Sequence, residues 1–326
     1  MTDQTPPPAS EFDPATAAIP PRLRTSLRPA WWWLAPLAGL AVVSYVVVGM
    51  ALTHRIDDDF EFGPGTVQSS QSRAIAMAAR LAFREVDQHG WTANDPFYLP
   101  SWWLDNMPNF QQGIVAALAR FTSAMAEASD HGQGPTPGLE RAAGLFKYPG
   151  TVWKFDPKTS WAPTASSEKQ YRNAARNLVV VNDALAAGEP GLDRHAAALA
   201  VLVNAIGRDL GAVSADIDRH LAEDHSALFD GGADDLFYAT KGRVYAYGLL
   251  LREAGGDYAQ VLTDRELAVQ WRQMVDALRA AAALDPCIVL NGAADGTLVP
   301  SHLTAQGFYL LRARAILSEI ADKLAR

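Results

Sequence analysis

Adjacent carboxyls at Asp234 and Asp235, just after the pair Gly231-Gly232, are the side chains whose setting first invites chemistry. At the opening of a helix such acids stabilise the positive end of the helix dipole by about 0.3 to 1 kcal/mol, and Asp234 is placed to cap free amides. The competing use is a polar site shared with Lys241 and Arg243, one to two turns further on. His220 and His225 resemble a metal pair, but ligands on a helix converge at offsets of three or four and these histidines are five apart. That segment reads as a solvated helix end. Asp105 with Asp156 or Glu168 would supply a carboxylate pair of the kind that cleaves glycosides, although no spacing selects one. A Gly-rich phosphate loop, a strained nucleophile elbow and a two-histidine zinc helix are all missing from the sequence, and no spacing singles out a Ser-His-Asp triad. Neither a cofactor nor a metal is expected.

Aromatic side chains are the other concentration of chemistry. Trp91, Phe97, Tyr98, Trp102 and Trp103 lie among Pro96, Pro100 and Pro108, and Tyr148, Trp153, Phe155 and Trp161 occupy a second irregular stretch. Such rings either fold back to cover a helical core, each burying about 150 to 250 Å², or form an exposed patch for a partner protein or an envelope glycan. Trp103 ahead of Asn109 and Trp161 ahead of Thr164 are placed to staple the chain entering a helix to its first turn, so both are expected in the core. The candidate interaction or loop-packing residues are therefore Trp102, Trp103, Trp153, Trp161, Asp105, Asn106, Tyr148, Asp234 and Asp235.

The elements that would position these residues follow from composition. The chain has 326 residues, 49% of them hydrophobic, a formal net charge of -8 and one cysteine, Cys287. That apolar fraction excludes a mostly disordered chain. A lone cysteine excludes an intrachain disulfide and a cysteine-based zinc cluster. The acidic balance argues against nucleic acid as a partner.

Residues 30–52 carry no charge, and at about 1.5 Å per residue they are long enough to span a hydrocarbon core of roughly 30 Å. Trp31, Trp32 and Trp33 suit an interfacial aromatic belt at the start of the run. Arg22, Arg24 and Arg28 precede it, whereas Asp57, Asp58, Asp59 and Glu61 follow it against Arg55 alone. The positive-inside rule then places the amino terminus in the cytoplasm and the carboxyl end outside. A cleaved signal peptide is the competing reading, since Gly49-Met50-Ala51 offers small residues, but the run exceeds the usual apolar region of a signal. The organisation predicted is a proline-rich disordered cytoplasmic tail over 1–29, a transmembrane helix over 30–52, a linker over 53–68 and one all-helical periplasmic domain over 69–326.

Within that all-α domain, apolar residues recur at steps of three and four. The stripe Ile75, Ala78, Ala79, Ala82, Phe83 and Val86 predicts a helix over 69–88. Further helices are predicted over 109–129, 139–145, 164–187, 192–223, 234–254, 257–284 and 302–324, with Thr164 or Ser167 and Ser301 as caps. Runs 287–290 and 297–299 suggest a small hairpin. Gly113, Gly242 and Gly307 each follow a polar residue inside a helix, at about 1 kcal/mol relative to alanine, which calls for close helix approach or room for a ligand.

Several irregular segments carry a resemblance. Gly90 to Phe97, Leu104 to Gln111, Lys147 to Gly150, Trp161 to Arg172, Asp234 to Tyr238 and Gln306 to Arg312 look like a proteobacterial domain-of-unknown-function family, matching from about residue 30 to the end. The resemblance implies an inner-membrane protein with one amino-terminal span and no assigned activity, so no catalytic residue carries over. The first functional reading is a non-enzymatic interaction or structural module on the periplasmic side of the inner membrane. Its partners are the bilayer, through residues 30–52, and an envelope protein or glycan. The alternative is an envelope enzyme acting on glycan or peptide through carboxylates near the aromatic loops.

Overall fold

The computed structural model describes residues 31–132, 136–155, 162–223, 230–286, 288–292 and 300–326. The tail over 1–29, Trp161, Asp156, His225, Cys287 and most of the expected hairpin lie outside these residues. The described chain is all-α. Its helices are α1 (Trp31–Thr53), α2 (Arg73–Phe83), α3 (Asn106–Gly132), α4 (Pro137–Phe146), α5 (Ser167–Ala186), α6 (Ala196–Ala222), α7 (Gly231–Asp257), α8 (Ala259–Asp264), α9 (Ala268–Ala282) and α10 (His302–Leu324). The only extended pairing among the described residues is a single bridge between Asn291 and Ser301.

Helix α1 is long and apolar enough to cross a membrane, and its leucines and valines from Leu34 to Leu52, Val46 excepted, are exposed. Among the described residues, those up to Ser44 form one unit and those from Tyr45 onward a second. In the second unit α7 is the centre. It is buried on nearly every side, and Phe237, Val244, Tyr245, Ala246, Tyr247 and Leu249 to Leu251 have no exposed surface, as expected of a helix surrounded by others. It packs mainly against α3, with α2 and α9 also against it, while α6 and α9 flank α10 and α4 and α5 pair beside α3 and α2. Helix α6 also has the length and composition of a span, but Leu199, Leu202, Ile206 and Leu210 are buried in this core.

The α3–α7 contact explains two of the three helical glycines. A methyl group on Gly113 would collide with the carbonyl of Ala239, and one on Gly242 with the carbonyl of Phe110. Backbone meets backbone there, so the close-approach reading holds. Around Gly307 the nearest atom is Ile217 Cγ2 at an ordinary 3.7 Å, and the same reason does not apply.

Several boundaries differ from expectation for local reasons. The helix expected over 69–88 starts later, because Ser72 caps it by accepting from the Ile75 amide at 3.1 Å, and its last five residues, Arg84–Gln88, form a wider π turn. The helix expected over 257–284 is broken by Glu266 at φ 53°, a left-handed turn that folds the chain back and buries Leu262 and Leu267. Ser301 caps α10 as expected, accepting from the Thr304 amide at 3.2 Å.

The stretch 53–68 is laid against the helices. Arg84 Nη2 donates to the Asp57 carbonyl at 3.0 Å and the Tyr245 hydroxyl to that of Asp59 at 2.8 Å. Arg252 Nη2 donates to the Phe62 carbonyl at 2.7 Å and Arg80 to that of Gly63 at 2.8 Å. The Lys241 ammonium lies 2.8 Å from Asp58, and the Phe60 ring is buried edge-on to Tyr245. The acids after α1 thus meet cations of the bundle.

Candidate functional site

The first turns of α3 and α7 bring together four of the residues singled out in the sequence. Asp105 precedes α3 and Asn106 opens it, while Asp234 and Asp235 lie in the first turns of α7. With its amide turned so that the NH2 faces the acids, Asn106 donates to Asp105 Oδ1 at 2.9 Å and to Asp234 Oδ2 at 2.5 Å. Asn109 Nδ2 donates to Asp235 Oδ1 at 2.7 Å. Partial burial, with Asp105 and Asp235 nearby, pushes the Asp234 carboxyl up to about 6. Burial and Asp105 also raise Asp235, against the lowering hydrogen bond from Asn109. Tyr238, one turn on, is pushed up to about 12 by burial and by Asp234. The arrangement can hold one proton near neutral pH and accept hydrogen bonds from a neutral or basic donor.

Capping belongs to a different residue. Asp230 accepts from the Ala233 amide at 3.0 Å, because α7 begins at Gly231 and takes both glycines into its first turn. Asp230 also bonds His220 Nε2 at 2.8 Å and accepts from Asn291 Nδ2 at 2.9 Å, and these contacts hold its carboxyl below the usual range despite some burial. Lys241 and Arg243 do not join Asp234. Lys241 turns to Asp58, to Asp285 and to the Leu284 carbonyl, and Arg243 to Asp209 at 3.4 Å. Glu168 accepts from Asn94 at 2.6 Å instead of pairing with Asp105.

The aromatic loops divide. Trp91 is buried, donates to the Gly150 carbonyl at 2.7 Å and meets Tyr171 edge-on at 4.8 Å. Tyr148 is half-buried and ties its loop to the start of α5 by donating to the Ala165 carbonyl at 3.0 Å. Trp153 is half-buried between Tyr98 and Phe155. By contrast Trp102 is 50% exposed and Trp103, expected in the core, is 58% exposed. The reason is geometric. A short 3-10 turn, Pro100–Trp103, points Pro100 and Ser101 inward and both indoles outward, and α3 starts at Asn106, so Trp103 is not the residue just ahead of a cap.

A charged network deep in the fold escaped sequence reasoning. The Arg84 guanidinium is almost fully buried, pairs with Glu85 at 2.9 Å, donates to the Tyr245 hydroxyl at 2.8 Å and lies over the Phe62 ring at 4.7 Å. Gln111 Nε2 donates to the Gly90 carbonyl at 2.8 Å, and its Oε1 accepts from the Thr92 amide at 3.1 Å. Arg84 and Glu85 interrupt an apolar stripe, the one signal available, but the π turn that aims both inward has no sequence signature. Separate clefts lie elsewhere. One of about 650 Å³ between α6 and α10 is lined by Arg208, Arg314 and Ser318. Another of about 480 Å³ holds Tyr148, Lys147, Arg120 and Asp209. Neither includes Asp105, Asp234 or Asp235.

Residues 231–326, α7 to α10, match the model of a family described as an uncharacterized protein conserved in bacteria (DUF2333). The chain has no match among curated proteins or among solved structures.

Proposed function

We propose that the chain is a single-span protein of the bacterial inner membrane whose helical domain faces the periplasm and works as a non-catalytic interaction or structural module. The observation that carries the reading is α1, an uncharged helix of 23 residues with exposed leucines and valines, preceded by arginines and followed by aspartates. Apolar surface left in water costs about 25 cal/mol per Å², so such a helix favours lipid. The end of the helix supports retention over cleavage. Tyr45 donates to the Tyr98 carbonyl at 3.3 Å, and the Arg55 amide stands 3.3 Å from Met107 Sδ. The stretch that follows is stitched to the bundle instead of hanging free, which suits a module held in a fixed pose against the membrane. Alkaline phosphatase fused after Arg326 is expected to be active in a Gram-negative host, and a cytoplasmic-type fluorescent protein at the same site dark. The reverse pair of results would overturn the topology.

The enzyme reading keeps one supporting observation, the Asp234 carboxyl raised to about 6 beside Asp105. A general acid needs such a proton near neutral pH. Loss of reducing-end release from envelope glycan in Asp234→Asn, with the variant folded and no less stable than the parent, would favour it over the module.

A further inference from the structure

The nine residues from Pro96 to Leu104 carry no charge, although Asp95 and Asp105 bracket them. Phe97 is 72% exposed and Tyr98 52%, alongside the outward indoles of Trp102 and Trp103. The rings meet edge-on in two pairs, Phe97 with Tyr98 at 5.7 Å and Trp102 with Trp103 at 5.1 Å. Tyr98 continues to Trp153 and Phe155, and the Lys154 ammonium lies over the Phe155 ring. Four exposed rings on one uncharged loop of a folded surface call for an occupant.

What identifies the occupant is the element this loop touches. The Tyr45 hydroxyl donates to the Tyr98 carbonyl, and Pro100 packs so closely on Gly49 that a methyl there would collide with its ring. Tyr45 and Gly49 belong to the uncharged helix, eight and four residues before its end at Thr53. At about 1.5 Å per residue, the loop reaches roughly 12 and 6 Å back along that helix. The interfacial layer on each side of a bilayer is about 5 to 7 Å thick, so contacts at these positions fall at or just inside it. The sequence of the helix points the same way. Three tryptophans stand at its start, whereas Thr53 closes its other end and His54 and Arg55 follow with no indole. Any indole at that second interface comes from elsewhere in the chain.

We infer that Phe97, Tyr98, Trp102 and Trp103 dock on the lipid bilayer, seating their rings at the headgroup level of the periplasmic leaflet beside the last turns of α1. Indole and phenol rings are stable there because each has an apolar body and a polar tip, and Lys154 at the edge of the patch faces anionic headgroups. The docking rests on the single-span reading and adds a second, peripheral membrane contact that holds the domain close to the bilayer.

The test uses the full chain in a Cys287→Ser background, reconstituted into vesicles of phosphatidylethanolamine and phosphatidylglycerol. Single spin labels are placed by Trp102→Cys, Phe97→Cys, Val43→Cys and Val180→Cys, the last an exposed site on α5. Circular dichroism of each variant confirms the fold. Labels at 102 and 97 are expected to lose broadening by a water-soluble nickel complex and to retain broadening by oxygen, approaching the label at 43, whereas the label at 180 keeps its nickel broadening. Nickel broadening at 102 and 97 equal to that at 180, with 43 in lipid, overturns the docking alone. Protection at 102 and 97 from both reagents overturns it in favour of a covering protein. Nickel access at 43 removes the single-span reading itself, and the docking with it.

Discussion

The ammonium of Lys241, fully buried on α7, lies 2.8 Å from the carboxylate of Asp58 in the stretch that follows α1. The two partners are unequally placed: the carboxylate side chain is 37% exposed, while the ammonium has no access to water. Removing the acid therefore leaves a buried cation with Asp285 and the Leu284 carbonyl, whereas removing the cation leaves an acid that water can solvate. Asp58→Ala is expected to cost about 1.5 to 3 kcal/mol. Lys241→Met, which keeps the stem volume, should cost less. Thermal melts of both variants in detergent decide, and the opposite order would show that the pair does not fasten this stretch.

Exposure separates the tryptophans by function. Trp91→Ala removes a buried ring, its hydrogen bond to Gly150 and its edge contact with Tyr171, and should cost about 3 to 5 kcal/mol. Trp102→Ala and Trp103→Ala remove surface rings and should stay within about 0.5 kcal/mol of the parent. Melts of the three proteins check this, and a large loss at Trp103 would restore the stapling role expected from its sequence position.

The sequence carried the helices because nearly all of them have one apolar face. The stripe through Ile75, Ala78, Ala79 and Ala82 is buried as its spacing implies. Legibility failed where the cause is tertiary. Glu266 takes a left-handed conformation so that Leu262 and Leu267 can both be buried, which no local propensity encodes. Asp105, Asn106, Asp234 and Asp235 were each visible as polar residues near helix starts, but only the packing of α3 on α7 joins them. Whether an aromatic loop faces in or out was not legible at all. In the 3-10 turn Pro100 and Ser101 face inward and the next two residues outward, so a shift of one position along the turn would exchange Ser101 with Trp102.

Where α3 crosses α7, helix propensity and packing oppose each other. Alanine in place of a helical glycine gains about 1 kcal/mol of propensity. At Gly113 and Gly242, however, the added methyl meets the backbone carbonyls of Ala239 and Phe110, which move only if the helices part. Overpacking of that kind costs about 1 to 3 kcal/mol or more, so Gly113→Ala and Gly242→Ala should both be destabilising. Gly207 in α6 has open space within 4 Å of the same position, and Gly207→Ala should stabilise by about 0.5 to 1 kcal/mol. Denaturant midpoints of the three variants give the comparison, and a gain at Gly113 would mean that the α3–α7 contact is looser than described.

Asp234 gives the fold a pH dependence of definite sign. Its carboxyl is raised from the ordinary 3.8 to about 6, by partial burial first and by Asp105 and Asp235 next. Between these values the folded chain binds more protons at this position than the unfolded chain, so its contribution to stability falls as pH rises through the window. The contribution is greatest below about pH 4 and lost above about pH 6. Asp234→Asn keeps the shape and removes the charge. It should be more stable than the parent at pH 7, by on the order of 1 kcal/mol once partial exposure is discounted. At pH 4 the two should coincide, because both side chains are then neutral in the folded state. Asp105→Asn should give part of the same gain by removing the neighbouring charge. Urea unfolding of parent and variants in detergent between pH 4 and pH 7.5 measures the difference directly. An advantage of the variant that is the same at both ends of the range would assign it to packing and exclude the electrostatic origin.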